Sequence, residues 1–77
     1  MIKVLLFAHL QEEAGASELT LEEAGMSVAQ LKKHLEEGYQ LSSLDQVMIA
    51  INENFAPEEE IVQDGDTVAL IPPVSGG

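Results

Sequence analysis

One segment has an unambiguous helical signature, and it limits what the rest of the chain can do. Ser27 stands where an N-cap is needed, and Gln30, three residues on, completes a capping box. Met26 and Leu31 are placed as the hydrophobic staple around that cap. Val28, Leu31 and Leu35 recur at i, i+3 and i+7, giving a single apolar stripe. Lys32, Lys33, Glu36 and Glu37 fall mostly off the stripe, and Gly38 is placed as the C′ residue. The spacing predicts a helix over Val28–Glu37. A helix with one apolar stripe must bury it against something, and the flanking segments read as strands.

"IKVLLFA" (Ile2–Ala8) is β-branched and apolar, with Ile2, Val4 and Leu6 on one face and Lys3, Leu5 and Phe7 on the other. "HLQEEAG" suits a short helical turn closed by Gly15, and Ser17–Leu21 a second strand. Beyond the helix, Val47–Asn52 is an uninterrupted apolar strand, and "NEN" turns the chain into a short segment at Phe55–Ala56 that Pro57 ends. Glu58–Glu60 reads as a solvated loop and "QDGD" as a turn around Gly65. Thr67–Ile71 is the last strand, stopped by Pro72 and Pro73. The class is therefore α+β: a mixed sheet of about five strands with one main helix on one face. Residues 1–72 form one domain and residues 73–77 an extended tail. With no second helix to cover it, any apolar residue on the other sheet face is left to solvent or to a partner.

The 77 residues leave no room for a second core, and a 45% hydrophobic content is too high for a disordered chain. Cysteine is absent, which removes disulfides and thiolate chemistry and fits a reducing compartment. No run approaches the ~20 apolar residues of a membrane span. "MIKVLLFAHL" reaches "QEE" with no small-residue cleavage site, so it does not read as a signal peptide. A soluble, cytoplasmic protein is expected. Fourteen acidic residues face three lysines, a net charge of -11 that repels nucleic-acid phosphates and anionic lipid. Two readings of these acids stand: solubility, or steering toward basic protein partners.

Side-chain chemistry is scarce. His9 and His34 are the only groups titrating near neutrality, and both read as surface residues. The serines have no nucleophile-elbow context, Asp64 and Asp66 flank a turn glycine, and no phosphate loop, dinucleotide fingerprint or metal spacing occurs. A small acid–base enzyme would need one of the histidines beside a carboxylate in a pocket. What remains is the end of the chain, "PPVSGG". Two prolines stiffen its exit, and Pro73–Gly77 extended would reach roughly 16 Å. Gly76 and Gly77 make a strand slender enough for a channel that admits no Cβ. The α-carboxylate of Gly77 is a poor electrophile until adenylated, which suits a covalent carrier arm. The other reading of such a tail is a flexible end.

"MIKVLLFAHLQEEAG", "AINENF" and above all "DGDTVALIPPVSGG" resemble the small-subunit, sulfur-carrier family of molybdopterin synthase, over nearly the whole chain. The sulfur carrier of thiamine synthesis is similar in its Gly-Gly end but usually lacks the Pro-Pro-Val-Ser approach. The resemblance implies a ubiquitin-like β-grasp in which the last strand lies beside the first. It implies a carrier that is not an enzyme alone, in a heterotetramer of two small and two large subunits. An E1-like adenylyltransferase would use ATP to adenylate Gly77, and a sulfurtransferase would convert it to a thiocarboxylate. Sulfur would then pass to cyclic pyranopterin monophosphate in the large subunit's active site, reached by Pro73, Val74, Ser75 and Gly76. No bound cofactor and no metal are implied. The alternatives are another sulfur-carrier pathway, or a ubiquitin-like binding module whose tail is inert.

The alternation adds a place for the partner. If Val68 and Leu70 face the helix, Ile71 shares the outer side with Phe7. Neighbouring first and last strands would join the two into one apolar patch at the base of the tail, with Phe55 a further candidate. The family resemblance places hydrophobic partner contacts at these positions. The competing reading is that these side chains complete a small core.

Overall fold

The computed structural model describes residues 1–39, 41, 44 and 46–73. In chain order it contains β1 (Ile2–Leu6), α1 (His9–Ala14), β2 (Glu18–Leu21), β3 (Met26–Ser27), α2 (Val28–Gly38), β4 (Met48–Ile51), β5 (Asn54–Phe55), β6 (Ile61–Val62) and β7 (Thr67–Ile71). Five strands form a mixed sheet in the order β2-β1-β7-β4-β5, and β3 pairs with β6 in a separate ribbon. β1 and β2 make an antiparallel hairpin, and β7 returns to lie parallel to β1 with Val4 opposite Val68 and Leu6 opposite Leu70. β4 closes antiparallel on the other side of β7, matching Ile49 to Leu70 and Ala50 to Ala69. This is the expected β-grasp, with the last strand at the centre of the sheet.

Period-two alternation decides which face is buried. Ile2, Val4 and Leu6 of β1 and Val68 and Leu70 of β7 are at most 1% exposed, and they meet Val28, Leu31 and Leu35 of α2. Leu10 of α1, Val62 of β6, and Leu41, Leu44 and Val47 after the helix complete the same cluster. No polar side chain is buried among the described residues. A core this uniform leaves the polar side chains of α2 free for surface ties. Lys32 Nζ lies 3.6 Å from Glu58, His34 Nε2 3.4 Å from Glu23, and Glu36 accepts from the Leu44 N–H at 2.6 Å. Each ties a different connecting segment to the helix.

The capping box forms as its spacing predicts: Gln30 N–H donates to Ser27 Oγ at 3.2 Å, and Ser27 N–H to Gln30 Oε1 at 2.9 Å. The loop before β6 adds two more caps, since Val28 N–H donates to the Glu60 carbonyl and Ala29 N–H to that of Glu58. Ser27→Ala removes one acceptor, and a loss of about 1 kcal/mol is expected in urea unfolding. An unchanged midpoint would mean the loop carbonyls cap the helix unaided. Gly38 departs from its expected role. It is the last helical residue rather than a left-handed stop, and Tyr39 N–H closes the end on the Leu35 carbonyl. Tyr39, half-buried, packs against the core at this end, where a glycine turn was expected. Two further differences are small. The strand expected at Phe55–Ala56 is Asn54–Phe55, and the β3–β6 ribbon adds a pairing that the apolar runs do not announce.

Candidate functional site

The face of the sheet turned away from α2 is built in cross-strand rows. Register places Leu5, Ala69, Ala50 and Phe55 on one row, since Leu5 opposes Ala69, Ala69 opposes Ala50, and Ala50 opposes Phe55. The two central alanines are flanked by two large side chains, which leaves a hollow of about 390 Å³ lined by Leu5, Ala50, Ala69, Thr67, Asn52 and Glu53. The next row toward the end of β7 holds Ile71 and, opposite it on β4, Met48. Neighbouring strands stand about 4.8 Å apart, so the four-residue row spans roughly 14 Å, room for one or two bulky apolar side chains on the alanine floor.

This face is also where charge is sparse. Its basic residue is Lys3, opposite Thr67, and its acidic residues are Glu18, opposite Leu5, and Glu53 at the β4–β5 turn. The helix side carries Glu36 and Glu37, with Glu58 beside Lys32. The acidic excess thus leaves the centre of the outer face apolar. At the far end of the sheet a polar clamp holds the turns: Asn52 Nδ2 donates to Asp66 Oδ1 at 3.0 Å, and Thr67 N–H donates to Asn52 Oδ1 at 3.0 Å. Asp66 Oδ2 accepts from Gln63 N–H at 2.8 Å. Asn52 and Glu53 sit at φ 50 and 72, the left-handed pair that a two-residue hairpin needs.

Neither phenylalanine completes the core: Phe7 is 46% and Phe55 68% exposed. Ile71 is half-buried, Pro72 likewise, and Pro73 is exposed. Phe7 follows Leu6 and Ile71 follows Leu70, and Leu6 and Leu70 are register partners, so both leave the sheet at the same level. Phe55 lies one row away on the edge strand. Val74, Ser75, Gly76 and Gly77 lie outside the described residues. Met48, 49% exposed and opposite Ile71, belongs to the patch although its apolar run suggests no face. Parity is the signal that finds it: once Ile49 is paired with Leu70, its neighbour must point outward with Ile71.

The two histidines stand apart from the hollows. His34 meets Glu23 on the surface of α2, and His9 is exposed at the start of α1. The outer-face hollow and a second one of about 330 Å³, lined by Ala29, Lys32, Lys33, Glu36, Glu37 and Glu58, contain no histidine. The acid–base pocket that a small enzyme would need is not assembled at either.

Comparison with known proteins agrees with this geometry. The model of the ThiS family matches residues 4–77. The molybdopterin synthase sulfur carrier subunit of Arabidopsis thaliana is 42% identical over 99% of this chain and 82% of its own length. Among solved structures, the small archaeal modifier protein 1 of Methanosarcina acetivorans is 31% identical, with a TM-score of 0.79 over 99% of this chain and 95% of that one. The complex of subunits 1 and 2 of molybdopterin-converting factor from Helicobacter pylori matches with a TM-score of 0.64 at 22% identity, covering 99% and 97%, a likeness of fold. The chain belongs to the ThiS family, with the ubiquitin-like β-grasp and among relatives that include molybdopterin synthase sulfur carrier subunits.

Proposed function

We propose that this chain is the sulfur-carrier subunit of a molybdopterin synthase, and that its own chemistry is confined to the Gly77 carboxylate. The observation that carries the reading is the position of β7. The central strand of the sheet runs out through Ile71 into Pro72 and Pro73, so the tail is rooted in the best-buried part of the domain and beside its exposed apolar rows. A partner that covers the outer face thereby receives the tail at a fixed place. The 42% identity to a curated sulfur carrier supplies the pathway. An E1-like adenylyltransferase joins the carboxylate to AMP, releasing pyrophosphate from ATP. A sulfurtransferase's persulfide then displaces AMP to give an acyl disulfide, and a second thiol cleaves that S–S bond by disulfide exchange, leaving the thiocarboxylate. Docking on the large subunit, in a heterotetramer of two small and two large chains, brings that sulfur to cyclic pyranopterin monophosphate. After transfer Gly77 returns to a carboxylate. Phe7, Ile71 and Phe55 make the docking contacts, with Met48 beside them, and the catalytic side chains belong to the large subunit.

Intact-mass measurement tests the chemistry. Incubated with ATP, the cognate adenylyltransferase and a sulfur donor, the chain is expected to gain about 16 Da as oxygen gives way to sulfur in a covalent carrier state. No increment with any activating enzyme of the same organism would remove every carrier reading. The likeness to a small archaeal modifier protein favours a second outcome, in which a lysine amine attacks the same adenylate. That product is an amide to a second protein, and the same spectra would show it as a conjugate larger than either chain.

A further inference from the structure

The corner between β1 and α1 has a backbone conformation that its side chain does not explain. Ala8 sits at φ 53, ψ -132. Asn52 and Glu53, also at positive φ, occupy a hairpin turn, but the values at Ala8 are those of the first central position of a type II′ turn, which glycine dominates. The turn is real in its hydrogen bonding, because Leu10 N–H donates to the Phe7 carbonyl at 3.1 Å, closing the four residues Phe7–Leu10. Gln11 clasps the same corner twice, donating its backbone N–H to the Ala8 carbonyl at 3.1 Å and its Nε2 to the Leu6 carbonyl at 3.3 Å. Leu10, fully buried, anchors the far side. The Ala8 side chain is itself exposed, so no packing compensates for a Cβ held in a region that suits glycine. Immediately before it stands Phe7, exposed and level with Ile71.

We infer that Ala8 is a positioning residue: its restricted backbone, held in a strained turn by Gln11 and Leu10, fixes Phe7 on the outer face for the large subunit. The inference rests on the reading of Phe7 as a docking contact. Glycine at this corner would relax the strain but let the turn explore other conformations, and Phe7 would then lose freedom on binding that it has already lost in the native chain. The chain thus gives up stability to hold an exposed ring in place, a trade found where a segment must be ready for a partner.

Two replacements separate strain from rigidity. Ala8→Gly relieves the strain and loosens the backbone. D-alanine at the same position, introduced by chemical synthesis, relieves the strain and keeps the backbone stiff, since the mirror image of φ 53, ψ -132 lies in the broad allowed β region. D-alanine is expected to raise Tm by roughly 4 °C or more for a domain of this size, and Ala8→Gly by less, because the glycine's looser unfolded chain offsets part of the relief. Ala8→Gly is expected to weaken binding to the cognate large subunit roughly three- to tenfold, measured by calorimetry, while the D-alanine protein binds at least as tightly as the native chain. In the free protein, the backbone order parameter at Phe7 should fall in Ala8→Gly from the ~0.85 of rigid backbone toward 0.6, and stay high with D-alanine. A lower Tm for the D-alanine protein would remove the strain. Unchanged affinity or unchanged order at Phe7, with the native chain binding normally, would overturn the positioning role alone. Failure of the native chain to bind would overturn both this role and the docking reading beneath it.

Discussion

A chain carrying one alanine after Gly77 should form no thiocarboxylate and support no pterin sulfuration, although it folds as well as the native protein. The added residue moves the reacting carboxylate by roughly 3.3 Å along an extended tail. Displacement of a reacting group by 1 Å can already cost about 100-fold, so loss below detection is expected. It also puts a Cβ where two glycines leave none, at the point that must enter the activating enzyme and the large subunit. The extension lies beyond Ile71, the last residue of the sheet, so Tm should move by less than ~1 °C, within the usual range of changes far from the core. The comparison needs three readouts on one preparation: Tm, the mass increment after incubation with ATP and the activating system, and sulfur transfer to the pterin precursor. Normal sulfur transfer from the extended chain would place the reacting atom somewhere other than Gly77. Loss of the increment together with a lower Tm would point to a tail that supports the fold.

The contrast between a barren domain and a reactive end explains which parts of this protein are legible in its sequence. β1, α2 and β7 are long enough for their periodicity to be read, and Ser27 with Gln30 marks the helix start to the residue. Their faces follow from alternation alone, which is why Phe7 and Ile71 can be placed outward before any coordinates are known. The β3–β6 ribbon cannot be read that way. It has two residues per strand, and it exists because Met26 and Val62 are brought together by the packing of other elements. Local propensity carries no trace of such a pairing. Gly38 is a fair C′ candidate on local grounds, but the helix runs through it and closes at the half-buried Tyr39, a difference that lies in tertiary packing rather than in the local sequence. Ala8 is hidden for the opposite reason. Nothing in "LFAHL" distinguishes an alanine in a strained turn from one in a strand, because the strain comes from the neighbours that enforce it. Met48 falls between these cases, visible by parity once the partner of β4 is known.

Phe7→Asp is expected to weaken binding to the large subunit by roughly 30- to 1000-fold, with little change in the fold. The ring is 46% exposed in the free chain, so its loss from the isolated domain should cost only about 1 kcal/mol. Under a covering partner the account differs. Burying the remaining half of a phenylalanine contributes roughly 0.7–1.4 kcal/mol, and a carboxylate in its place must in addition be desolvated without a partner. Central apolar anchors of this kind lose about 2–4 kcal/mol on replacement. Position within the face sets a gradient that a general effect of added charge would not reproduce. Phe55→Asp, at 68% exposure on the edge strand, should cost less than Phe7→Asp, as rim contacts do. Ile61→Asp provides the control: Ile61 is 43% exposed, close to Phe7, but it lies in the β3–β6 ribbon. Its new carboxylate would stand opposite Ser27 at the start of α2, where negative charge is favourable, and affinity should stay within about twofold. Calorimetric titration of the three variants against one preparation of the large subunit orders them. Equal losses at all three positions would mean that added negative charge, not the outer sheet face, governs association. Loss at Ile61 alone would move the docking surface to the ribbon side of the helix.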